Sequence, residues 1–296
     1  VLLNKAYSVC KFWRFSLFFT TLNPPDWTKP FLIKEKYDYI VHAASIASPT
    51  YYRIYPLETI DSNVNGIRNI LNYSLKNKNL KGLLFFSSSE IYGDPDVKNI
   101  PTKEDYRGFV SCVGPRACYD ESKRLSETLC TIFANKYNVP VKIVRPFNNY
   151  GPGLDINDKR IVPDLCKNIL NNEDIILFSD GKAKRTYCYV ADAICGYIKA
   201  LVNGKPGESY NIGIDSPEIS TLKLAQELKK ISNNLFNYDS KIIFKKNSDR
   251  SYLTDNPQRR CPDLTKSRLN LGYKPKVSLN DGLLKTLLWY KGTAKW

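Results

Sequence analysis

The stretch KGLLFFSSSEIYG, residues 81–93, is a continuous apolar run that opens into three serines and a glutamate. A segment that is apolar at every position indicates a strand buried on both faces, which is typical of a parallel sheet. Serines at a strand end can simply cap a turn, but a glutamate directly after a buried strand is costly unless it is paired or used. The stretch therefore predicts a buried strand whose carboxyl end carries Ser88, Ser89 and Glu90 into a polar crevice.

The segments around this strand alternate between apolar strands and amphipathic helices. YDYIVHAAS, residues 37–45, is a short β-rich run, and residues 56–76 carry apolar side chains at helical spacing. A helix from about Tyr119 to Tyr137 follows, and then the apolar strand VPVKIVRPFNNYGPG, residues 139–153. This alternation predicts an α/β fold with a Rossmann-like, doubly wound parallel sheet, in which ligands bind at the carboxyl ends of the strands.

The predicted domain organisation has two parts. Residues 1–151 contain the strand and helix alternation and form the Rossmann-like domain. From residue 152 the pattern loosens into helices, short strands such as ESYNIG and loops rich in Arg and Asn, which indicates a smaller α+β lobe over residues 152–296. Within that lobe, residues 186–204 are expected to pack back on the first domain.

GPRACYDESKR, residues 114–124, places Tyr119 one helical turn before Lys123 on the same face. A lysine ammonium beside a phenol lowers the phenol pKa, so the tyrosine can accept a proton from a hydroxyl group. For the pair alone, two polar residues at an exposed helix start are the simpler interpretation. The strand-end residues Glu90 and Asn148, together with Arg185 among aromatic residues, favour a catalytic site, because such an arginine suits a diphosphate or a ribose.

The composition restricts the possible partners. Lys and Arg outnumber Asp and Glu by 44 to 29, and the net charge of +15 suits nucleic acid, an anionic membrane or a phosphorylated substrate. Because the lysines are scattered and no zinc-finger or RNP-type pattern is present, no nucleic-acid partner is predicted.

The apolar run FSLFF, residues 15–19, is too short to span a membrane. A single histidine excludes a His-rich metal site, and eight cysteines without a Cys-x-x-Cys pair indicate free thiols in a reducing cytoplasm.

The order and spacing of these motifs resemble the extended short-chain dehydrogenase/reductase family, the NAD-dependent enzymes that remodel nucleotide sugars. The likeness runs from about residue 26 almost to the end of the chain. Within the family, the chain most resembles the decarboxylases that convert UDP-glucuronate to UDP-xylose. The matching stretches are HAASIASP, SSSEIYGDP, CYDESKR, RPFNNYGP, INDKRIVP, RTYCYVADA, YNIG and DNPQRRCPDLTKSRLNLGYKPKVSL.

The resemblance implies roles for individual residues. Tyr119 would be the base, Lys123 would orient it and bind the nicotinamide ribose, and Ser88 would hydrogen-bond the sugar C4 oxygen. Ser89 and Glu90 would assist at C5 and C6, and Arg260 would lie near the substrate carboxylate and the returning proton. The implied NAD contacts are Asp26, Ala43, Ala44, Ser45, Ser87, Tyr119, Lys123 and Pro146. The implied contacts with the nucleotide sugar are Ser88, Glu90, Tyr119, Asn148, Arg160, Arg185 and Arg260. Family members usually pair through the helix that carries the tyrosine, so a homodimer is also implied.

Two other reactions of the same family remain open. Dehydratases of the dTDP-glucose type carry Asp-Glu where this chain has Ser89 and Glu90, and simple 4-epimerases usually lack the glutamate. Dehydratases of the GDP-mannose type share Ser-Glu but neither QRRCP nor CYDESKR. The resemblance therefore favours decarboxylation through a 4-keto intermediate, with a 4,6-dehydratase or a 4-epimerase as the alternative.

The chain departs from the family at its beginning. Members open with a Gly-x-x-Gly-x-x-Gly turn that cradles the cofactor pyrophosphate on a helix N-terminus, whereas the first glycine here is Gly66. The first βαβ unit is therefore expected to be missing, either because this is a fragment of a longer enzyme or because a relative has lost its usual cofactor site. The absence of Met, even at position 1, favours a fragment. In both cases NAD binding should be weak, and a catalytically inactive relative that serves as a binding or structural subunit stays an alternative.

Overall fold

The computed structural model describes residues 36–247 and 253–293. Asp26 and the segment where the first βαβ unit was expected to be missing lie outside the described residues. The strands are β1 Tyr39–His42, β2 Gly82–Phe86, β3 Val141–Pro146, β4 Asn149–Tyr150, β5 Ile175–Leu177, β6 Lys184–Arg185, β7 Cys188–Tyr189, β8 Ser209–Ile212, β9 Ile219–Ser220, β10 Ile242–Phe244 and β11 Arg259–Arg260. The α-helices are α1 Pro49–Ile54, α2 Pro56–Ile60, α3 Gly66–Lys76, α4 Ala117–Tyr137, α5 Ile161–Leu170, α6 Val190–Asn203, α7 Thr221–Phe236, α8 Thr265–Leu271 and α9 Leu279–Thr293.

The main sheet consists of four parallel strands in the order β1-β2-β3-β8. The register places Val41 beside Leu84, and Val144 lies beside Tyr210. Strand β2 is buried at its first four positions and β3 at its first five, as a continuous apolar run in a parallel sheet requires. The predicted α/β class with a Rossmann-like parallel sheet is therefore confirmed.

Helices cover both faces of the main sheet. On one face, α3 and α4 pack through Ile67, Leu71, Cys130 and Phe133. On the other face, a second apolar cluster joins the sheet to α6 and α8. It contains Ala193 and Ala200 of α6, Leu264 directly before α8 and Leu271 at the end of α8. Burial of each large aliphatic side chain contributes about 1.5–3 kcal/mol. The two clusters therefore fix α4 relative to the ends of β2 and β3.

Helix α4 begins two residues before its predicted start, at Ala117, and ends at the predicted Tyr137. Asn138 follows with a positive φ of 55°, which is a common way to end a helix. The backbone N–H groups of Tyr119 and Asp120 both donate to the Arg116 carbonyl at 3.0 Å. Helix α4 also contacts the turn Ser89–Tyr92 that follows β2, and Lys123 donates to the Phe86 carbonyl, so the start of the helix lies beside the end of that strand.

The part of the chain after residue 152 contributes to two regions. Its own core joins α5, α7, α9 and β5 through residues such as Leu165, Leu228 and Leu283. Strand β8, from the ESYNIG stretch that was assigned to the second lobe, instead pairs with β3 in the main sheet. Helix α6, in the segment expected to pack back, contacts β2, β3 and β8. Pairing between distant parallel strands is not visible in a short local pattern, which explains why β8 was placed in the other lobe.

In residues 36–247 and 253–293, no helix combines the length and the apolar composition that a transmembrane segment requires.

Candidate active site

A cavity of about 490 Å³ opens where β2 and β3 end and α4 begins, and residues of the second lobe close its other side. Its volume lies within the usual range for small-molecule sites. The predicted site residues that line it are Ala43, Ser45, Ser87, Ser88, Ser89, Glu90, Tyr119, Lys123, Pro146, Asn148, Arg160 and Arg185. Ala44 and Arg260 are not among its lining residues. Most of the dispersed residues that the sequence singled out therefore meet at one place.

Tyr119 and Lys123 lie one helical turn apart in the cavity wall, and both are almost completely buried. The Lys123 Nζ atom lies 5.7 Å from the centroid of the Tyr119 ring and donates a hydrogen bond to the Phe86 carbonyl at 2.7 Å. Burial raises the pKa of Tyr119 to about 12, although a hydrogen bond with Ser88 lowers it. The expectation that the lysine lowers the phenol pKa below its usual value is therefore wrong for this structure. Burial has the largest effect on the Tyr119 pKa, and it also desolvates the Lys123 ammonium, which lowers the Lys123 pKa to about 7.

Glu90 is held between two guanidinium groups. Arg116 Nη2 donates to Glu90 Oε2, and Arg260 Nη2 donates to the same oxygen at 3.0 Å. Arg260 also donates to the Ser89 carbonyl, and its side chain is only 2% exposed. Burial alone would raise the pKa of Glu90, but the charges of Arg260 and Arg116 hold it at about 2. The carboxylate is therefore ionised and fixed at the floor of the cavity.

Asp120 completes this group of charges. Its Oδ2 atom lies 3.7 Å from Arg116 Nε, so Arg116 contacts one carboxylate with each edge of its guanidinium. Glu90, Arg116, Asp120 and Arg260 are here called the charged cluster. Two acidic and two basic side chains balance in formal charge, which is the arrangement that buried ions need.

Arg116 and Tyr52 are site residues that the sequence analysis did not single out. The Arg116 guanidinium carbon lies 5.8 Å from the centroid of the Tyr52 ring, and that ring stacks on Tyr119 with centroids 5.0 Å apart and an interplanar angle of 15°. Both residues line the cavity. Arg116 could have been found from its position four residues before Asp120, because this spacing places two side chains on one helix face. Tyr52 carries no comparable signal in the sequence.

Other residues that line the cavity present polar atoms without partners among the described residues. Ser45 Oγ, Ser87 Oγ and Asn148 Nδ2 are buried and have no hydrogen-bond partner among the described residues. Buried polar groups normally find partners, so these atoms fit a polar ligand with several hydroxyl or amide groups. Arg185 donates to the Lys184 carbonyl at 2.8 Å, and burial followed by the charge of Arg260 lowers its pKa to about 10. It stays cationic near neutral pH and can therefore bind an anionic group.

Arg160 lies at the cavity wall beside the start of α5, where its guanidinium pairs with Asp158. The neighbouring loop joins the two regions of the chain, because Ser48 Oγ donates to the Asp158 carbonyl at 2.7 Å. Within the described ranges, no group of three or more His, Cys, Asp or Glu side chains is placed to hold a metal ion.

Comparisons with known proteins agree with this geometry. The sequence pattern of the NAD dependent epimerase/dehydratase family matches residues 1–213. UDP-glucuronic acid decarboxylase 1 of Xenopus tropicalis is 37% identical over 254 residues, which are 86% of this chain and 57% of that protein. UDP-glucuronic acid decarboxylase 5 of Arabidopsis thaliana is 36% identical over 258 residues, which are 87% of this chain and 71% of that protein. The chain thus spans little more than half the length of the frog relative.

Solved structures share the fold. UDP-glucose 4-epimerase from Thermotoga maritima, determined with UDP-glucose, aligns with a TM-score of 0.76 and 27% identity over 87% of this chain and 78% of that one. A double mutant of dTDP-glucose 4,6-dehydratase from Streptomyces venezuelae, determined with NAD bound, aligns with a TM-score of 0.74 and 25% identity over 88% and 74% of the two chains.

Proposed function

The chain belongs to the NAD-dependent epimerase/dehydratase family, and on that premise we propose that it converts UDP-glucuronate to UDP-xylose with bound NAD. One observation carries the proposal. Ser88, Tyr119 and Lys123 share a buried cavity with the Glu90 carboxylate, which two guanidinium groups hold in place. The names of the frog and plant relatives select decarboxylation among the reactions of the family.

The described residues fit the nicotinamide end of NAD. Lys123 and Tyr119 would contact the nicotinamide ribose, and the unpaired hydroxyls of Ser45 and Ser87 offer further hydrogen bonds. NAD, when bound, supplies the acceptor and later the donor of the hydride. The first glycine of the chain, Gly66, lies at the start of α3, so the described residues offer no glycine-rich turn before β1 for the pyrophosphate.

Tyr119 exchanges a proton with the C4 hydroxyl of the sugar. Burial raises its pKa to about 12, so Tyr119 must first release its own proton to solvent, which the hydrogen bond with Ser88 favours. The phenolate then takes the proton of the C4 hydroxyl as hydride leaves C4. Oxidation at C4 leaves the C6 carboxylate β to a carbonyl. When carbon dioxide leaves, the electron pair of the broken bond moves onto the C4 oxygen, where Ser88 and Tyr119 can hydrogen-bond the developing negative charge. Protonation of the sugar at C5 and return of the hydride to C4 complete the reaction.

The remaining walls would position the substrate. Arg185 and Asn148 would bind the diphosphate or ribose, and Arg160, which directly precedes α5, would reach the same groups. Glu90 would assist at C5 and C6. Arg260 fixes Glu90 and the Ser89 carbonyl, and we propose that it acts near the substrate carboxylate from this position.

The test is the mass of the product formed from UDP-glucuronate and NAD. Loss of carbon dioxide is expected. Loss of water would identify a 4,6-dehydratase, and an isomer of unchanged mass would identify an epimerase, so either result would contradict decarboxylation.

A second candidate is a binding or structural relative without catalytic activity. Such a protein would bind UDP in a calorimetric titration, give no product and show no NAD binding. Binding of both UDP and NAD, with product formed, would exclude it.

The same family relationship supports a homodimer that forms through α4. Helices α2 and α4 contact each other and together expose large apolar side chains. Leu57 of α2 is 71% exposed, and Leu125 and Ile132 of α4 are 50% and 46% exposed. Light scattering should give twice the mass of the chain for the wild type and a lower mass for Leu125→Lys. Leu269→Lys is a matched control because Leu269 is 79% exposed on α8, which packs on the opposite face of the sheet. A monomeric wild type would contradict the dimer.

We also propose a reducing, cytoplasmic location, because the seven described cysteines are free.

A further inference from the structure

Asp120 is a buried acidic residue that the proposed reaction does not use. It lies in the first turn of α4 and is 5% exposed, and it is not among the residues that line the cavity. Its Oδ2 atom lies 3.7 Å from Arg116 Nε, whereas its Oδ1 atom is buried and has no hydrogen-bond partner among the described residues. A buried carboxylate with one weak contact is expensive for the fold.

The contact between Asp120 and Arg116 continues to the cavity. Arg116 is planar and presents its Nε and Nη2 atoms to different carboxylates, Asp120 and Glu90. Glu90 accepts a hydrogen bond from Nη2 at one edge, whereas Asp120 attracts the other edge by charge across 3.7 Å, because Arg116 Nε has no hydrogen-bond partner among the described residues. Opposite charges at the two edges favour one orientation of the guanidinium. Without Asp120, only the Glu90 contact and the Tyr52 ring restrain the Arg116 side chain.

We propose that Asp120 is a positioning residue for the proposed decarboxylation, and that it acts by fixing the Arg116 guanidinium that holds Glu90 at the cavity floor. The proposal rests on the proposed function for its kinetic consequences and on the geometry of the charged cluster for its structural ones. Asp120 touches neither substrate nor cofactor in this assignment, so it should affect kcat far more than KM.

The surroundings of Asp120 give the effect a pH dependence. The charged groups that face it are Arg116 on its own helix, Glu90 after β2, Arg260 on β11 and Asp255 in the segment before β11. Burial and then the negative charge of Glu90 raise the pKa of Asp120 to about 7, against the lowering effect of the two arginines. Below this pH Asp120 becomes neutral, and its attraction for Arg116 is lost.

The first test compares Asp120→Asn with the wild type across this pH range. Near pH 8 the variant should have a kcat about tenfold lower, with KM nearly unchanged, because coupled charges of this kind interact at about that level. Near pH 6 the two proteins should converge, because Asp120 is then neutral in the wild type as well. Titration of site groups that do not interact with Asp120 is common to both proteins and cancels in the ratio. A ratio that does not change with pH, or a change confined to KM, would overturn the proposal.

Glu121→Gln is the matched control. Glu121 is the next residue of α4 and pairs with Arg124 at the same distance of 3.7 Å, but the two side chains are 43% and 35% exposed. This variant should keep the wild-type kcat at both pH values. A tenfold loss for Glu121→Gln would mean that any charge change on α4 has this effect, and would overturn the proposal.

A double-mutant cycle tests whether Asp120 acts through Arg116. The Asp120→Asn and Arg116→Lys double variant should have the kcat of Arg116→Lys alone, because lysine cannot bridge two carboxylates with a rigid fork. Multiplicative losses would show that Asp120 acts independently.

A structural measurement separates this proposal from the proposed function. Crystal structures of the wild type and Asp120→Asn should show the Arg116 guanidinium turned away from its Glu90 contact in the variant. An unchanged contact would overturn the positioning role even if the wild type decarboxylates UDP-glucuronate. A changed contact in the variant, together with a wild type that releases no carbon dioxide, would contradict the proposed function alone.

Discussion

Arg259 and Arg260 are neighbours on β11, yet their surroundings differ completely. The Arg259 side chain is 33% exposed and pairs with Glu218 near the surface, whereas the Arg260 side chain is 2% exposed and pairs with Glu90 beneath the cavity. Helix α4 repeats the contrast, with the buried Arg116–Asp120 pair and the exposed Arg124–Glu121 pair at the same separation of 3.7 Å. Pairs of the same chemical type therefore occur in both environments.

The difference shows where the molecule accepts an energetic cost. An exposed ion pair contributes about 0–1 kcal/mol, because water screens the charges. A buried cluster first has to overcome the loss of hydration, so apolar side chains of similar size are often as stable or more stable there. The charged cluster is therefore better explained by what it does at the cavity than by stability. Each prediction below compares a buried residue with an exposed residue of the same type.

The largest effect is expected for Tyr119→Phe. Removal of the phenol hydroxyl should lower kcat for UDP-glucuronate by about 10³-fold, which is typical for loss of a proton-transferring group. The fold should persist, because the ring still stacks on Tyr52. Tyr137→Phe, at the exposed end of the same helix, is the control and should retain full activity. Residual turnover of Tyr119→Phe close to that of the control would disprove the assigned role.

Some features of this site could be read from the sequence because they depend on local pattern. The apolar run before Ser88 predicted β2, and helical spacing predicted α4 to within two residues at its start. Parallel strands end at one edge of a sheet, so Glu90, Asn148 and the start of α4 could be expected to meet.

Other features depend on contacts between distant parts of the chain. The Arg116 contact with Glu90 joins residues 26 positions apart, and the Tyr52 ring lies on Tyr119 only after α1 has packed beside α4. The raised pKa of Tyr119 follows from burial, which the Tyr-x-x-x-Lys spacing does not reveal. Likewise, nothing in the local pattern of ESYNIG shows that β8 pairs with β3.

The second prediction compares the two arginines of β11. Arg260→Met should lower the free energy of unfolding by about 3 kcal/mol, because it leaves the partly buried Glu90 carboxylate with one guanidinium and the Ser89 carbonyl without its donor. Arg259→Met should cost at most about 1 kcal/mol, as expected for a partly exposed pair. Urea unfolding of both variants and the wild type measures the difference. Equal costs would mean that burial does not distinguish the charged cluster from the surface pairs.

The smallest effect expected concerns the lysines of α4 and appears in the pH dependence of stability. Burial lowers the pKa of Lys123 from its usual value of 10.5 to about 7, so the folded protein binds this proton less tightly than the unfolded chain does. The wild type should therefore lose stability as the pH falls from about 10 to about 7, and Lys123→Met, which has no group to protonate, should escape this loss.

The free energy of unfolding of Lys123→Met minus that of the wild type should thus rise by roughly 2 kcal/mol as the pH falls from about 10 to about 7. For Lys136→Met, at the exposed last turn of the helix, the difference should stay constant within about 0.5 kcal/mol. Urea unfolding at several pH values measures both differences. A flat difference for Lys123→Met would mean that the ammonium is hydrated in solution, and the contrast between the buried and exposed faces of α4 would then not extend to its lysines.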